Sequence, residues 1–137
     1  SRNFTWSMMN VPKLREYLYL IKNEDKIIVE NTIDQFEQNV LNQRDKFKSA
    51  LIHGDVNEQN IIVNQVDSKW HVNGVIDFGD AHFALQIFDV SLLAMYTMLD
   101  CKSIDPIVAP GHVLSGYLSL RQLDKHELDI VPVRTSL

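Results

Sequence analysis

The sequence predicts an α+β fold, a mostly helical lobe interrupted near its middle by one β-hairpin. Three observations carry that prediction. Apolar residues recur at helical spacing away from the centre, as at Val29, Ile33, Phe36 and Val40. Two runs rich in strand-forming residues, Asn60–Val66 and Lys69–Ile76, flank the turn pair Asp67-Ser68. Hydrophobic content of 45% and charged content of 23% over 137 residues suit a globular domain with its own core.

The elements follow in order. Asn10-Val11-Pro12 reads as a helix start, with Pro12 in the first turn, where its missing N–H costs nothing. Leu14, Tyr17, Leu18 and Ile21 continue it at helical spacing. A longer helix is predicted from Glu24 to Lys48, with a charged or amide-bearing solvated face opposite its apolar stripe. Ala50–Ile52 changes period and enters a loop, and the hairpin follows. Ile87–Leu99 is apolar nearly all round and predicts a buried helix. Asp105-Pro106 opens another, running to Leu120, and Asp124-Lys125-His126-Glu127 has the form of a capping box for a last one. Pro132 should kink or end that helix. The organisation is helices over 11–50, a loop and hairpin over 51–80, and helices over 83–137.

The chemistry concentrates around the hairpin. Before it stands Ile52-His53-Gly54-Asp55-Val56-Asn57-Glu58-Gln59-Asn60, and after it Ile76-Asp77-Phe78-Gly79-Asp80. Antiparallel pairing should bring Asn60 and Asp77 to the open end of the hairpin, beside Asp55. A carboxylate to take a proton from an attacking hydroxyl, with an amide and a second carboxylate to hold magnesium on phosphates, is what phosphoryl transfer needs. Asp55 is therefore the candidate catalytic base. Asn60 and Asp77 are candidate Mg²⁺ ligands, offering the hard oxygens that ion prefers. His53 reads as a brace for the loop through its ring nitrogens. Gly54 and Gly79 stand where a Cβ would block a backbone angle or a close approach. Asp80 has three open readings: a second metal, a cationic substrate, or a turn cap. Asp89 reads as a helix cap that also anchors the loop.

Other classes find little support. A net charge of −5, with no basic run and no aromatic residues interleaved with basic ones, argues against nucleic acid. His71, His82, His112 and His126 lack metal-ligand spacing, and no G-x-S-x-G occurs. Cys101 stands alone, which excludes an internal disulfide and fits a reducing compartment. Val90–Leu99 is about half of the ~20 residues a membrane helix needs, and no signal peptide opens the chain, so a cytoplasmic enzyme without a membrane partner is expected. The chain starts at Ser1 in structured-looking sequence and reads as a piece of a larger protein.

His53-Gly54-Asp55 with Asn60, and Ile76-Asp77-Phe78-Gly79-Asp80, resemble the two signatures of the aminoglycoside phosphotransferase and choline kinase superfamily. These are small-molecule kinases with a protein-kinase-like fold. The flanks Asn10-Val11-Pro12, Tyr17-Leu18-Tyr19, Gly74-Val75, Ala94-Met95-Tyr96 and Gly111-His112-Val113-Leu114 are similar to its hydroxylysine kinase branch. The resemblance spans roughly Asn10 to Tyr117 and implies a C-terminal lobe. The partner lobe, N-terminal in the same full-length protein, would carry the phosphate-grasping lysine; no G-x-G-x-x-G or Val-Ala-Ile-Lys segment occurs in this chain. It further implies Mg²⁺, GTP or ATP as phosphate donor, and 5-hydroxylysine as the small amino-alcohol acceptor. The sequence departs from the family at Glu58-Gln59 and at the Pro132 tail. The alternatives are a kinase acting on an aminoglycoside, choline or homoserine, and a non-catalytic scaffold of the same fold.

Overall fold

A computed structural model of the chain describes residues 6–131. The chain divides into two compact units, Ser1–Lys48 and Ser49–Leu137.

In the first unit the leading helix differs from expectation. It begins at Met8, capped by Ser7 Oγ on Met9 N at 3.4 Å, and winds to Leu20 in 3₁₀ rather than α geometry. Pro12 thus lies inside the run and not in its first turn. No residue of the run is buried, so no packed face imposes α winding around the break in hydrogen bonding at Pro12. Arg15 Nη2 ties the run to the next helix through Asp34 at 2.5 Å and Glu37 at 2.6 Å. That helix, α1, spans Asn23–Asn39, with Glu24 and Asp25 complementing the dipole in its first turn. Its predicted stripe holds, with Ile33 and Val40 buried and Val29 and Phe36 half-buried. It stops nine residues short of Lys48, and a 3₁₀ segment, Leu41–Lys46, follows. Gln43 Nε2 donates to the Gln38 carbonyl, an acceptor that a continuing helix would give to the N–H four residues on. Asn39, Val40 and Asn42 are poor helix formers, and the break falls among them.

The second unit holds two separate two-stranded sheets, where the sequence predicts one hairpin. The additional pair joins β1, Ser49–Ile52, antiparallel to β4, His82–Leu85, with Ser49 opposite Leu85 and Ile52 opposite His82. Ala50–Ile52 is therefore strand and not loop. Four-residue strands some thirty positions apart carry too little periodicity to announce their pairing. The predicted hairpin pairs β2, Ile61–Val66, with β3, Lys69–Val75. Asp67 and Ser68 both have positive φ, at 49° and 62°, which gives a two-residue turn whose twist suits the flanking strands. A bulge interrupts the register between Ile62 and Val63.

Three helices follow. α2 spans Ile87–Asp100. Its first half is buried at Ile87, Phe88, Val90 and Ala94, but Met95 and Leu99 are exposed, so it is not buried throughout as predicted. α3 spans Ala109–Leu118 and starts later than Asp105. Asp105 Oδ1 instead accepts from Ile107 N and caps a turn that precedes the helix. α4, Lys125–Ile130, starts on the predicted capping box, with Asp124 Oδ1 on Glu127 N at 2.9 Å and Glu127 Oε2 on Asp124 N at 3.0 Å. The expectation for Pro132 lies outside the described residues. Among those residues no helix is long and apolar enough to cross a membrane.

Candidate functional site

The two sheets frame the site. β1 and β4 close together at Ile52 and His82, and β2 and β3 close together at Ile61 and Val75. The segments between these closures, 53–60 and 76–81, therefore run side by side. Ile76 N donates to the Asn60 carbonyl at 3.0 Å and continues the ladder one step into the frame. The open end of the hairpin is thus where Asn60 and Asp77 are expected to meet, and the β1–β4 pair fixes the opposite end.

The first segment is braced from several directions. Asp89, in the first turn of α2, accepts His53 N at 2.7 Å and Gly54 N at 2.9 Å on its two carboxylate oxygens. It anchors the loop as predicted, but it is not the helix cap; that position belongs to Gln86. The buried His53 ring bridges the segments. Its Nε2–H donates to the Ile76 carbonyl at 2.8 Å, and its Nδ1 accepts Asp55 N at 3.3 Å, contacts that assign the proton to Nε2. Phe78 packs on that ring at 4.7 Å between centroids. Gly54 has φ +83°, and a Cβ there would lie 2.6 Å from the Asp80 carbonyl oxygen, so only glycine fits. His82 Nδ1–H donates to that same carbonyl at 2.8 Å.

Asp55 sits half-buried at the centre. Asn60 Nδ2 donates to its carbonyl at 2.9 Å and to its Oδ2 at 3.1 Å. Asn57 Nδ2 donates to its Oδ1 at 3.0 Å. Asp77 follows β3 in the left-handed region, φ 61° and ψ 62°, exposed, with Oδ1 accepting Gly79 N at 3.4 Å. The positive φ falls on Asp77 and not on Gly79, whose Cβ would press on Asp77 Oδ1 at 3.3 Å.

The donor set fits a hard cation. The donor end of the Asn60 amide is committed to Asp55, so its oxygen is the end suited to a cation. Asp77 contributes an exposed carboxylate from the adjoining segment. Among the described residues no three His, Cys, Asp or Glu side chains form a metal-holding group, so phosphate oxygens and water would complete a magnesium shell here.

Two participants are not foreseen from the sequence. Asn57 makes the contact to Asp55, and His82 buttresses the turn at Asp80. An Asx cap signal at Asn57 was available, since its Oδ1 accepts Gln59 N at 2.9 Å to open the 3₁₀ turn Glu58–Asn60. Nothing local marks His82, whose role follows from the β1–β4 pairing. Beside the loop, a cavity of about 400 Å³ is lined by Val56, Leu93, Val113 and Tyr117 among others. Burial raises the Tyr117 hydroxyl above the ordinary tyrosine value, partly offset by the hydrogen bond from Gln86 Nε2.

A carboxylate joined to an amide, with an exposed aspartate on the antiparallel segment alongside, is an arrangement suited to phosphoryl transfer. The chain belongs to the phosphotransferase enzyme family, which it matches over residues 3–123. It is similar to the hydroxylysine kinase of Bos taurus, at 35% identity over 124 residues, 86% of this chain and 32% of that protein. The Xenopus laevis hydroxylysine kinase is 35% identical over 133 residues, 92% of this chain and 35% of its own length. The Danio rerio hydroxylysine kinase is 28% identical over 128 residues, 92% of this chain and 36% of its own length. The chain spans about a third of the length of the curated relatives it matches. No solved structure matches it.

Proposed function

We propose that the full-length protein is a small-molecule kinase that moves the terminal phosphate of GTP or ATP to the side-chain hydroxyl of 5-hydroxylysine. The observation that carries this reading is the joining of Asp55 and Asn60 by hydrogen bonds, on a loop that His53 and Ile76 tie to Asp77. The acceptor class rests on the likeness to hydroxylysine kinases. Asp55 accepts the proton of the acceptor hydroxyl as its oxygen bonds to the terminal phosphorus. The bond from phosphorus to the bridging oxygen breaks, and the nucleoside diphosphate leaves. Asn60 and Asp77 would hold Mg²⁺, which when bound neutralises phosphate charge. His53 and Asp89 keep the backbone of Asp55 in place. The carboxylate of Asp80 is available to a second metal or to the acceptor's ammonium group. Grip on the triphosphate falls to an N-terminal lobe of the same protein, and the reaction is assigned to the cytoplasm.

The test is a transfer assay of the full-length protein with Mg²⁺ and either nucleotide, against 5-hydroxylysine, homoserine, choline and an aminoglycoside. Phosphorylation of 5-hydroxylysine is expected. Transfer only to another acceptor replaces the substrate, and no transfer to any of them sinks the reading. The 137-residue chain alone should be inert, because positioning of the triphosphate supplies much of the catalysis. Sustained turnover by that chain, abolished by Asp55→Asn, would show that it builds its own nucleotide clamp.

A further inference from the structure

We infer that Asn57 is a positioning residue for Asp55, holding the base's carboxylate by an amide hydrogen bond that is independent of the metal site. The inference rests on the kinase reading above, in which Asp55 is the base.

The geometry fixes the Asn57 side chain at both ends. Its backbone is extended, φ −138° and ψ 174°, as a cap to the 3₁₀ turn Glu58–Asn60 requires. Its Oδ1 accepts Gln59 N at 2.9 Å. With the oxygen turned to that N–H, the amide must present Nδ2 on the other side. There it meets Asp55 Oδ1 at 3.0 Å and, more distantly, the Asp55 carbonyl at 3.4 Å. The two bonds set the orientation of the amide by themselves, because a flipped amide would put N–H against N–H and oxygen against carboxylate.

Each oxygen of Asp55 therefore receives one amide N–H, Oδ1 from Asn57 and Oδ2 from Asn60. A carboxylate has about four lone-pair positions, so two remain for an acceptor hydroxyl. A single amide would leave the carboxylate free to pivot about its last bond. Two amides, one on each oxygen, fix the plane in which those remaining lone pairs point. That plane decides whether an attacking hydroxyl is aligned with its base, and misplacement by about 1 Å costs on the order of 10²-fold in rate.

The two amides are not equivalent. Asn60 is also a candidate metal ligand, so its loss would mix base misplacement with weakened nucleotide binding. Asn57 is placed to act on the base alone. Its substitution should lower kcat and leave Mg-nucleotide affinity intact, the signature of an interaction made in the transition state and not in nucleotide binding.

The experiment separates this role from simple turn capping. Asn57→Asp keeps a capping oxygen and the side-chain shape but has no N–H to donate. Asn57→Gly also suits a cap position, where glycine is well tolerated, and it adds no charge. Both variants, made in the full-length protein, are expected to lose about 10- to 100-fold in kcat with Mg-nucleotide affinity within about twofold of wild type. Near-wild-type kcat in both would reduce Asn57 to a turn cap and overturn the inference. Equal losses in kcat and nucleotide affinity would overturn it as well, by placing Asn57 in nucleotide binding. Asp55→Asn runs in parallel. If it loses turnover while the Asn57 variants do not, only this inference fails; if it keeps turnover, the base assignment fails with it.

Discussion

The two carboxylates at the centre of the site are held very differently. Asp55 lies on a segment fixed by Asp89, by the His53 ring and by a glycine that nothing can replace, and both of its oxygens take an amide N–H. Asp77 is exposed, in a left-handed conformation uncommon outside glycine, with a 3.4 Å bond to Gly79 N. The contrast fits the roles proposed for them. A base gains from being aimed before the acceptor arrives, since alignment is what it contributes. A magnesium ligand can be drawn into place by the ion and its phosphates. The strained backbone at Asp77 holds the residue at the end of β3 and leaves its carboxylate facing outward to do so.

The contrast breaks most directly at Asp55. Asp55→Asn preserves size but removes the proposed proton acceptor, and it leaves one oxygen where two amides now donate. We predict a fall in kcat of roughly 10²-fold or more in the full-length protein, with little change in nucleotide affinity. Steady-state kinetics on a folded, purified variant check this, and near-wild-type turnover would remove Asp55 from its role.

Next comes the brace itself. Gly54→Ala should be tolerated badly, because its Cβ would meet backbone and not a flexible side chain, at a φ that L-residues rarely adopt. The backbone penalty alone is about 1–3 kcal/mol, and the 2.6 Å clash adds to it. Denaturant unfolding measures the loss. A midpoint equal to wild type would show that the loop is softer than the contacts around it imply. Gly79→Ala, with φ outside the left-handed range and a 3.3 Å neighbour that is a side-chain oxygen, should cost less.

The other half of the contrast is sharpened by Asp77→Ala. Mg-nucleotide affinity should fall by at least the roughly 10-fold that removal of even an outer partner of a metal site causes. Stability should fall by about 0.5–2 kcal/mol, because the exposed side chain caps the turn at Gly79 N from a left-handed backbone. Asn60→Ala should weaken affinity less and lower kcat as well, because its amide also holds Asp55. Calorimetric titration with Mg-nucleotide and parallel kinetics separate the two patterns; unchanged affinity in both variants would end the metal assignment.

How much of this was legible depended on how local each signal was. The hairpin turn at Asp67-Ser68, the capping box from Asp124 to Glu127 and the apolar stripe of α1 are short-range patterns, and each is found where the sequence puts it. The pairing of Asp55 with Asn60, and the placing of Ile76 beside Asn60 at the open end of the hairpin, follow from the spacing around one hairpin. The β1–β4 pair is not legible, because two four-residue strands some thirty positions apart carry no shared signature. The early stop of α1 is not legible, because apolar periodicity runs on through Val40 while poor helix formers and the Gln43 side chain end the helix. The role of Asn57 is not legible, because its partner, two residues away, lies within reach only once the loop has turned. Aspartate tolerates a left-handed backbone better than most residues, but that tolerance does not single out Asp77 as the one in that conformation.

The smallest expected effect lies away from both carboxylates and tests whether the cavity beside Val56 belongs to the acceptor's pocket or only supports the fold. Tyr117 lines that cavity, and its hydroxyl accepts Gln86 Nε2, from the residue that precedes α2. Tyr117→Phe leaves the Gln86 donor without this acceptor, and a loss of about 1 kcal/mol is expected. Kinetic constants should hold if the cavity only supports the fold, whereas a raised KM for the acceptor alone would make Tyr117 part of the acceptor's pocket. The pH dependence has a definite sign. Burial raises the folded-state pKa of Tyr117 above its unfolded value, so the neutral phenol is favoured by folding. Its contribution is fully present below the ordinary tyrosine value of about 10 and is lost as pH rises through the higher folded value. The hydroxyl is only partly buried, so the effect is modest. Urea unfolding at neutral pH and above pH 10 should show the wild type converging on Tyr117→Phe at the alkaline end, and a constant gap between them would show that the hydroxyl titrates no differently in the folded chain.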